Sequence, residues 1–250
     1  MDISNQDLPV SPDSPQEGEV FHERGGVGKT DWLIIALLVG VLLFYFRSLI
    51  WTDTFIYGEL DIRRSIYLFK KVAFEQMQQG HMPLWMPYIY CGMPLLGSFL
   101  ATPFYPPDVL FALARIPMNM AFNWDLLIHL IAAQVFSYLF FQRFFSQAGS
   151  LRYHGRVSPE AGSAPPCVDT HRRYRRLAAL FCSLWFWNIF FLNFILIGDA
   201  LNIRAMLLVP VVFYFLESAL AKEGRGGHFL FLSLVLSVQM LSGGVQFAFY

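Results

Sequence analysis

Five stretches of the chain, 32–51, 121–141, 177–197, 201–220 and 229–250, are apolar almost throughout. Roughly twenty apolar residues suffice for a helix to cross the hydrocarbon layer of a bilayer, so the pattern predicts five transmembrane helices. Trp32 and Trp51 bracket the first as interfacial anchors would, and Arg47 near its end can snorkel to the headgroups. The fourth carries Arg204 near its start and Pro210 inside, and a span tolerates proline where neighbours repair the freed backbone groups. Residues 1–31 are polar, with Pro9, Pro12 and Pro15. They lack a basic region ahead of a short apolar core, so they predict a disordered tail rather than a signal peptide.

The segment 52–120 has its own organisation. Within 59–79, Ile62, Ile66, Phe69, Ala73 and Met77 recur at three- and four-residue steps, while Arg63, Arg64, Lys70, Lys71 and Glu75 form the other face. That period predicts an amphipathic helix lying on the membrane or on neighbouring helices, stopped by Gly80 as a C-cap. A proline- and aromatic-rich run follows, from His81 through Trp85, Tyr88 and Tyr90 to Pro94. An apolar stretch broken by Pro103, Pro106 and Pro107 comes next. Proline lacks the N–H donor and clashes with the preceding turn, so neither part can be a continuous helix. The run reads as a folded loop whose amphipathic rings rest at headgroup level. Asp108 is placed to cap a short helix reaching Ala114.

Charge orients these elements. The segment 142–176 holds Arg143, Arg152, Arg156, Arg172, Arg173, Arg175 and Arg176 against Glu160 and Asp169, with a Pro/Gly/Ser-rich stretch at 158–166. Such an arginine excess marks a cytoplasmic loop. Nucleic-acid binding is the sharper reading of the same residues, but a topology signal is far commoner, so no nucleic-acid partner is expected. The short loop 221–228, with Lys222 and Arg225, is cytoplasmic by the same rule. The N-terminus then lies inside, 52–120 outside and 198–202 outside. Arg63, Arg64, Lys70 and Lys71 run against the rule, which is weak for long external segments. Composition fits membrane lipids as the surroundings: 56% of residues are hydrophobic, 14% are charged, and the net charge is +0. The expected architecture is an all-α polytopic transmembrane helical bundle with a long extracytoplasmic first loop containing amphipathic helices. The last apolar run reaches Tyr250 with no polar tail, which predicts a piece of a longer membrane protein.

With this topology several ionisable residues meet at the outer face. Glu59 and Asp61 follow the first span, Asp125 begins the second, and Asp199 lies in the next outer turn. Ser242-Gly243-Gly244-Val245-Gln246 belongs to the outer part of the last span. A carboxylate there can act as general base toward an acceptor hydroxyl, and Arg63 and Arg64 can hold a phosphate leaving group. Glycosyl transfer suits carboxylates because its transition state is oxocarbenium-like. Each residue also has a plainer account. Glu59 and Asp61 can favour the N-terminus of the following helix. Asp125 and His129, one turn apart, can pair with each other inside the bundle. Asp199 can be an ordinary turn residue, and the double glycine can serve close helix packing.

Metal chemistry has no local support. The six histidines are scattered, and Cys91, Cys167 and Cys182 have no metal-type spacing, so no cofactor is expected and a divalent metal is unsupported. Cys182 reads as a core residue. Gly25-Gly26-Val27-Gly28-Lys29-Thr30 resembles a variant phosphate-binding loop, but Glu23 stands at its first glycine and a membrane span follows, so a flexible basic tail is preferred.

Gly80-His81-Met82-Pro83-Leu84-Trp85-Met86-Pro87-Tyr88-Ile89-Tyr90-Cys91-Gly92-Met93-Pro94 resembles the G-x-x-P-L-W-N-P-Y-x-x-x-G-x-P signature of YfhO-like bacterial membrane proteins. Phe104-Tyr105-Pro106-Pro107 looks like that family's next element. Leu127-Ile128-His129-Leu130, with Tyr138 and Arg143 downstream, is similar to its following span. Gln246 and Tyr250 match its L-x-G-H-P-Q-x-x-x-Y motif. Met86 replaces the usual Asn, Gly244 and Val245 replace His-Pro, and Asp199 stands where His is common. The family is similar to membrane-embedded GT-C glycosyltransferases. The resemblance implies a bacterial cytoplasmic-membrane protein that takes a polyprenyl-phosphate sugar as donor and a cell-envelope molecule as acceptor. It implies Asp61 as the base, with Glu59 as rival. Arg63, Arg64, Trp85, Tyr88, Asp125, His129, Asp199 and Gln246 are the candidate substrate-binding residues. The rival functions are a transporter or flippase of a lipid-linked saccharide, with Asp125 and His129 along its path, and a non-catalytic assembly subunit.

Overall fold

The computed structural model describes residues 27–52, 66–89, 91–98, 100–154, 168–185, 200–220 and 226–242. They are mostly helical. In chain order they form α1 (Lys29–Tyr45), α2 (Arg47–Ile50), α3 (Tyr67–Gln78), β1 (Trp85–Met86), β2 (Met93–Pro94), α4 (Pro106–Leu113), α5 (Met118–His154), α6 (Val168–Trp185), α7 (Ala200–Leu220) and α8 (Gly226–Leu241). Among the described residues one stretch, Met118–Ser146 within α5, is long and apolar enough to cross a membrane. Gly226–Leu241 is apolar but shorter.

Several expected boundaries move. The end of the expected tail is ordered, because Lys29, Thr30 and Asp31 already form the first turn of α1. The first apolar run breaks at Phe46. There Arg47 donates from Nη1 to the Phe44 carbonyl at 3.0 Å and lies over the Phe44 ring, closing α1 with a cation. The second run does not stop at 141. Phe140 stacks on Phe144 and Phe141 on Phe145, and Arg143 reaches Ser218 of α7, so the helix continues into the expected basic loop. At its other side that loop is also helical, since α6 starts at Val168 rather than at 177. The end of the third run, 186–197, lies outside the described residues.

Side-chain links fix the direction of each helix. α5 is the hub. Gln134 donates to Ser183 of α6 at 3.2 Å and Arg175 of α6 to Ser146 at 2.8 Å, so α5 and α6 are antiparallel. Asp125 and Arg143 of α5 meet Arg204 and Ser218 of α7, so these two run parallel. Between them lies an aromatic seam of Phe136 on Tyr214 and Phe140 on Phe213. α8 returns along α7, with Phe231 stacked on Phe215 and Gln239 donating to the Ala205 carbonyl at 3.0 Å. That bond joins the two helices in the turn preceding Pro210, through which α7 stays continuous. α1 starts beside Tyr138 and Arg176 and is followed by Thr52, whose carbonyl faces Asn123. The hub helix therefore has two distinct ends: Met118 to Asp125 at one, and Arg143 to Ser146 with Arg175 and Arg176 at the other.

The first of these ends carries a separate layer made of α3, the strands and α4. Phe69, Val72 and Ala73 of α3 pack on Met86, Leu95 and Ala101, while Phe74 packs on Ala112 and Ala121. The expected apolar face of α3 is thus the buried one, though Lys70 is buried with it. α3 ends in a Schellman motif: the Gly80 N–H bonds the Met77 carbonyl and the His81 N–H the Gln76 carbonyl, with Gly80 at φ +79°. The proline-rich run forms a two-stranded antiparallel hairpin, Trp85 opposite Pro94 and Met86 opposite Met93. Its return needs Gly92. At φ +107° a Cβ there would lie 2.6 Å from the Trp85 ring. Pro106 and Pro107 open α4, so its cap is Tyr105, and Asp108 sits inside the first turn rather than capping it.

Large apolar side chains remain exposed in rows. Trp32, Leu33, Leu37, Val41 and Phe44 line α1, Leu177, Phe181 and Leu184 line α6, and Leu230 and Leu234 lie on α8. Trp85 and Tyr88 stand exposed on the hairpin. Cys182, read as a core residue, is only half-buried, because its α6 face borders this exposed row.

Candidate functional site

Where the layer of α3, the hairpin and α4 meets α5 and α7, six polar side chains close into a ring. Lys70 comes from α3, Tyr105 and Asp108 from α4 and its cap, Asp125 and His129 from α5, and Arg204 from α7. All six are buried. Lys70 Nζ bonds Asp108 Oδ2, which also accepts from the Thr102 hydroxyl at 2.8 Å. Arg204 Nη2 bridges Asp108 Oδ1 at 3.5 Å and Asp125 Oδ2 at 2.5 Å. His129 Nδ1 faces the Asp125 backbone carbonyl at 2.7 Å, and its Nε2 faces the Tyr105 hydroxyl. A carbonyl only accepts, so Nδ1 carries a proton toward the Asp125 carbonyl. Lys70 and Arg204 also lie against the rings of Tyr105 and Phe122, at 4.9–5.9 Å from their centroids.

The charges balance, two cations against two carboxylates. Burial still perturbs them. Desolvation and the nearby Arg204 cation lower the Lys70 ammonium from its ordinary 10.5 to about 8, although Asp108 and Asp125 oppose the shift. For Asp108, burial pushes upward, but Lys70 and Arg204 outweigh it and hold the carboxyl below its ordinary value. Both cations are taken by carboxylates within the protein, so the ring is not an open cradle for a phosphate.

A smaller cluster lies at the other end of α5. The Asp31 carboxylate, 1% exposed, accepts from the Gly28 N–H at 2.8 Å, from the Tyr138 hydroxyl at 3.0 Å and from Arg176 Nε at 2.8 Å. Burial raises the Asp31 value, but these donors together lower it on balance. Asp31 thereby occupies the N-terminus of α1 that a phosphate-binding loop would have to leave open.

Of the expected site residues, Asp125 and His129 meet in the ring, with their near approach 3.5 Å from Asp125 Oδ1 to His129 Nδ1. Trp85 and Tyr88 are on the hairpin. Glu59, Asp61, Arg63, Arg64, Asp199 and Gln246 lie outside the described residues, as do Gly243 to Val245. Lys70, assigned to the polar face of its helix, is instead a buried partner of Asp108. Its position gave the signal: it follows Ile66 by one turn and precedes Ala73 by one turn, on the edge of the buried stripe. Arg204 was visible as an arginine inside an apolar run, a placement that demands a partner. Nothing local announced Tyr105. Among the described residues no group of three or more His, Cys, Asp or Glu side chains is placed to hold a metal. No family model, curated protein or solved structure matches the chain.

Proposed function

We propose that this is a multi-pass protein of the bacterial cytoplasmic membrane, with its N-terminus cytoplasmic and a GT-C-like helical bundle. It transfers a sugar from a polyprenyl-phosphate donor to an extracytoplasmic cell-envelope acceptor. The observation that carries the reading is the division of α5 into two ends. The hairpin, α3 and α4 gather at one end, and Arg143, Arg175 and Arg176 at the other, while rows of apolar side chains stand exposed on α1, α6 and α8. Exposed faces of that extent are costly in water and suit lipid. Ile66, which follows the segment carrying Glu59 and Asp61 in sequence, packs with Phe122 and Leu126 at the Met118–Asp125 end of α5. In this scheme Asp61 takes the proton of the acceptor hydroxyl, and Arg63 and Arg64 receive the departing phosphate.

The translocator reading asks Asp125 and His129 to line a path. Their engagement with Arg204 and Tyr105 argues for a fixed role instead. Two measurements test the proposal. Membranes containing the chain are washed with alkaline carbonate, and single thiols near Trp85 and Arg152 are labelled from outside intact cells. Retention, with labelling near Trp85 only, is expected; the opposite labelling removes the outer face. Sugar transfer from a synthetic polyprenyl-phosphate sugar is then measured for the wild type and Asp61→Asn. A loss of roughly a hundredfold or more is expected if Asp61 is the base. Unchanged transfer would return that role to Glu59 or remove it.

A further inference from the structure

Asp31 and Arg176 tie the first turn of α1 to α6. One turn further along both helices, Ile35 and Leu38 share a cluster with Ala179, so α1 and α6 run in the same direction from this link. Helical spacing then sets out the same layers on each. On α1, Lys29 is exposed one turn before Leu33, with Trp32 between them in sequence and Leu37 and Val41 beyond. On α6, Arg173 is exposed one turn before Leu177, with Tyr174 beside it and Phe181 and Leu184 beyond. At a rise of about 1.5 Å per residue, Lys29 stands about 3 Å and Arg173 about 4.5 Å beyond the link, so the two cations are nearly level. Each row reads cation, amphipathic ring, aliphatic carbons. A phospholipid presents its headgroup, interface and acyl chain in that order.

Charge selects the kind of lipid. Among the described residues neither Lys29 nor Arg173 has a carboxylate partner. The carboxylate beside them, Asp31, is already taken by Gly28, Tyr138 and Arg176. The level cations are therefore left for an outside anion. A second copy of the chain in the same membrane orientation would set them beside their own copies, so like charge opposes self-association through this face.

We propose that the shared start of α1 and α6 is a binding surface for anionic phospholipid. Lys29 and Arg173 hold the headgroup phosphate, and the rows that begin at Leu33 and Leu177 receive the acyl chains. The site rests on the membrane reading above, with this end of α5 at the cytoplasmic leaflet, and is independent of sugar transfer. Each Lys or Arg close to an anionic lipid surface strengthens binding about fivefold.

The test uses the full chain purified in neutral detergent. Native mass spectrometry follows its lipid adducts on titration with phosphatidylglycerol or with phosphatidylcholine of the same acyl chains. Phosphatidylglycerol is expected to bind on the order of twentyfold more tightly. Lys29→Gln and Arg173→Gln should each lower that affinity about fivefold, and the double variant should leave the two lipids nearly equal. Lys71→Gln removes a half-exposed cation of α3 near the other end of α5 and should change nothing. Soluble glycerol phosphate should not displace the lipid, because it has no chains for the apolar rows. Equal affinities in the wild type overturn the proposal. So does a preference that survives in the double variant, or one that is lost equally in Lys71→Gln. Displacement by glycerol phosphate overturns the lipid assignment in favour of a free anion. Release of the chain from membranes by alkaline carbonate removes the membrane reading and the site with it, whereas retention with equal affinities removes the site alone.

Discussion

At one end of α5 a lone carboxylate, Asp31, is held by three donors. At the other, two carboxylates and two cations close on each other around Tyr105 and Phe122. Both clusters join elements far apart in sequence, and both hide an aspartate. They differ in how much depends on each member. Asp31 serves as first-turn acid of α1 and as anchor for Tyr138 and Arg176, and Arg176 keeps 20% of its side chain in contact with solvent. Arg204 and Asp125 in the ring have no such outlet, since their side chains are each 2% exposed. The Arg176 charge left over beside Asp31 can turn to water, whereas one left over at Arg204 or Asp125 cannot.

That contrast predicts unequal costs. Arg204→Met strands Asp125 and half of Asp108 in an apolar setting, and removing one partner of a buried pair costs about 3–5 kcal/mol. The double variant Arg204→Met/Asp125→Leu should recover most of this, because Lys70 and Asp108 remain a balanced pair. Thermal unfolding in detergent measures both. An equal loss in single and double variants would mean that lost packing, rather than stranded charge, dominates at this end.

Asp31→Asn should cost less, about 1–2 kcal/mol, since the amide keeps one acceptor and the abandoned Arg176 can reach solvent. The damage should stay local. Hydrogen exchange is expected to rise in the first turns of α1, with α3 and α4 at wild-type protection. If α3 and α4 loosen as well, the two ends are coupled through α5 and the comparison must be redrawn.

The helical runs of α5 and α7, the stop at Gly80 and the facing pair Asp125 and His129 were legible in the sequence, because each is a local statement about period, backbone freedom or helical spacing. The ends of α5 and α6 were not. Their extensions into the arginine-rich segment depend on Ser218 finding Arg143 and on Asp31 finding Arg176, contacts that join separate parts of the chain. The ring was half-visible for the same reason. Arg204 stood out as a cation in an apolar run, but its partner Asp108, and Lys70 on the other oxygen of Asp108, looked like a cap and a solvated face. Two prolines at 106 and 107 shifted the cap to Tyr105 and freed Asp108 to turn inward.

The two ends also differ in their response to pH. Lys70 titrates near 8 in the folded chain and near 10.5 when exposed, the first cause being burial and the second the Arg204 cation. Between those values the unfolded chain holds the proton and the folded chain has released it. The unfolded state therefore binds more protons, and stability from this group rises as pH increases through that window. Asp31 has the reverse placement on the scale: its folded value lies below 3.8, so its contribution is present above that value and fades as pH falls through the lowered one. Stability followed against pH from 7 to 10.5 should therefore contain a rising component that Lys70→Met lacks and Asp31→Asn retains. Parallel alkaline slopes in the wild type and Lys70→Met would show that the ring releases no proton of its own, and that the two ends are alike in this respect.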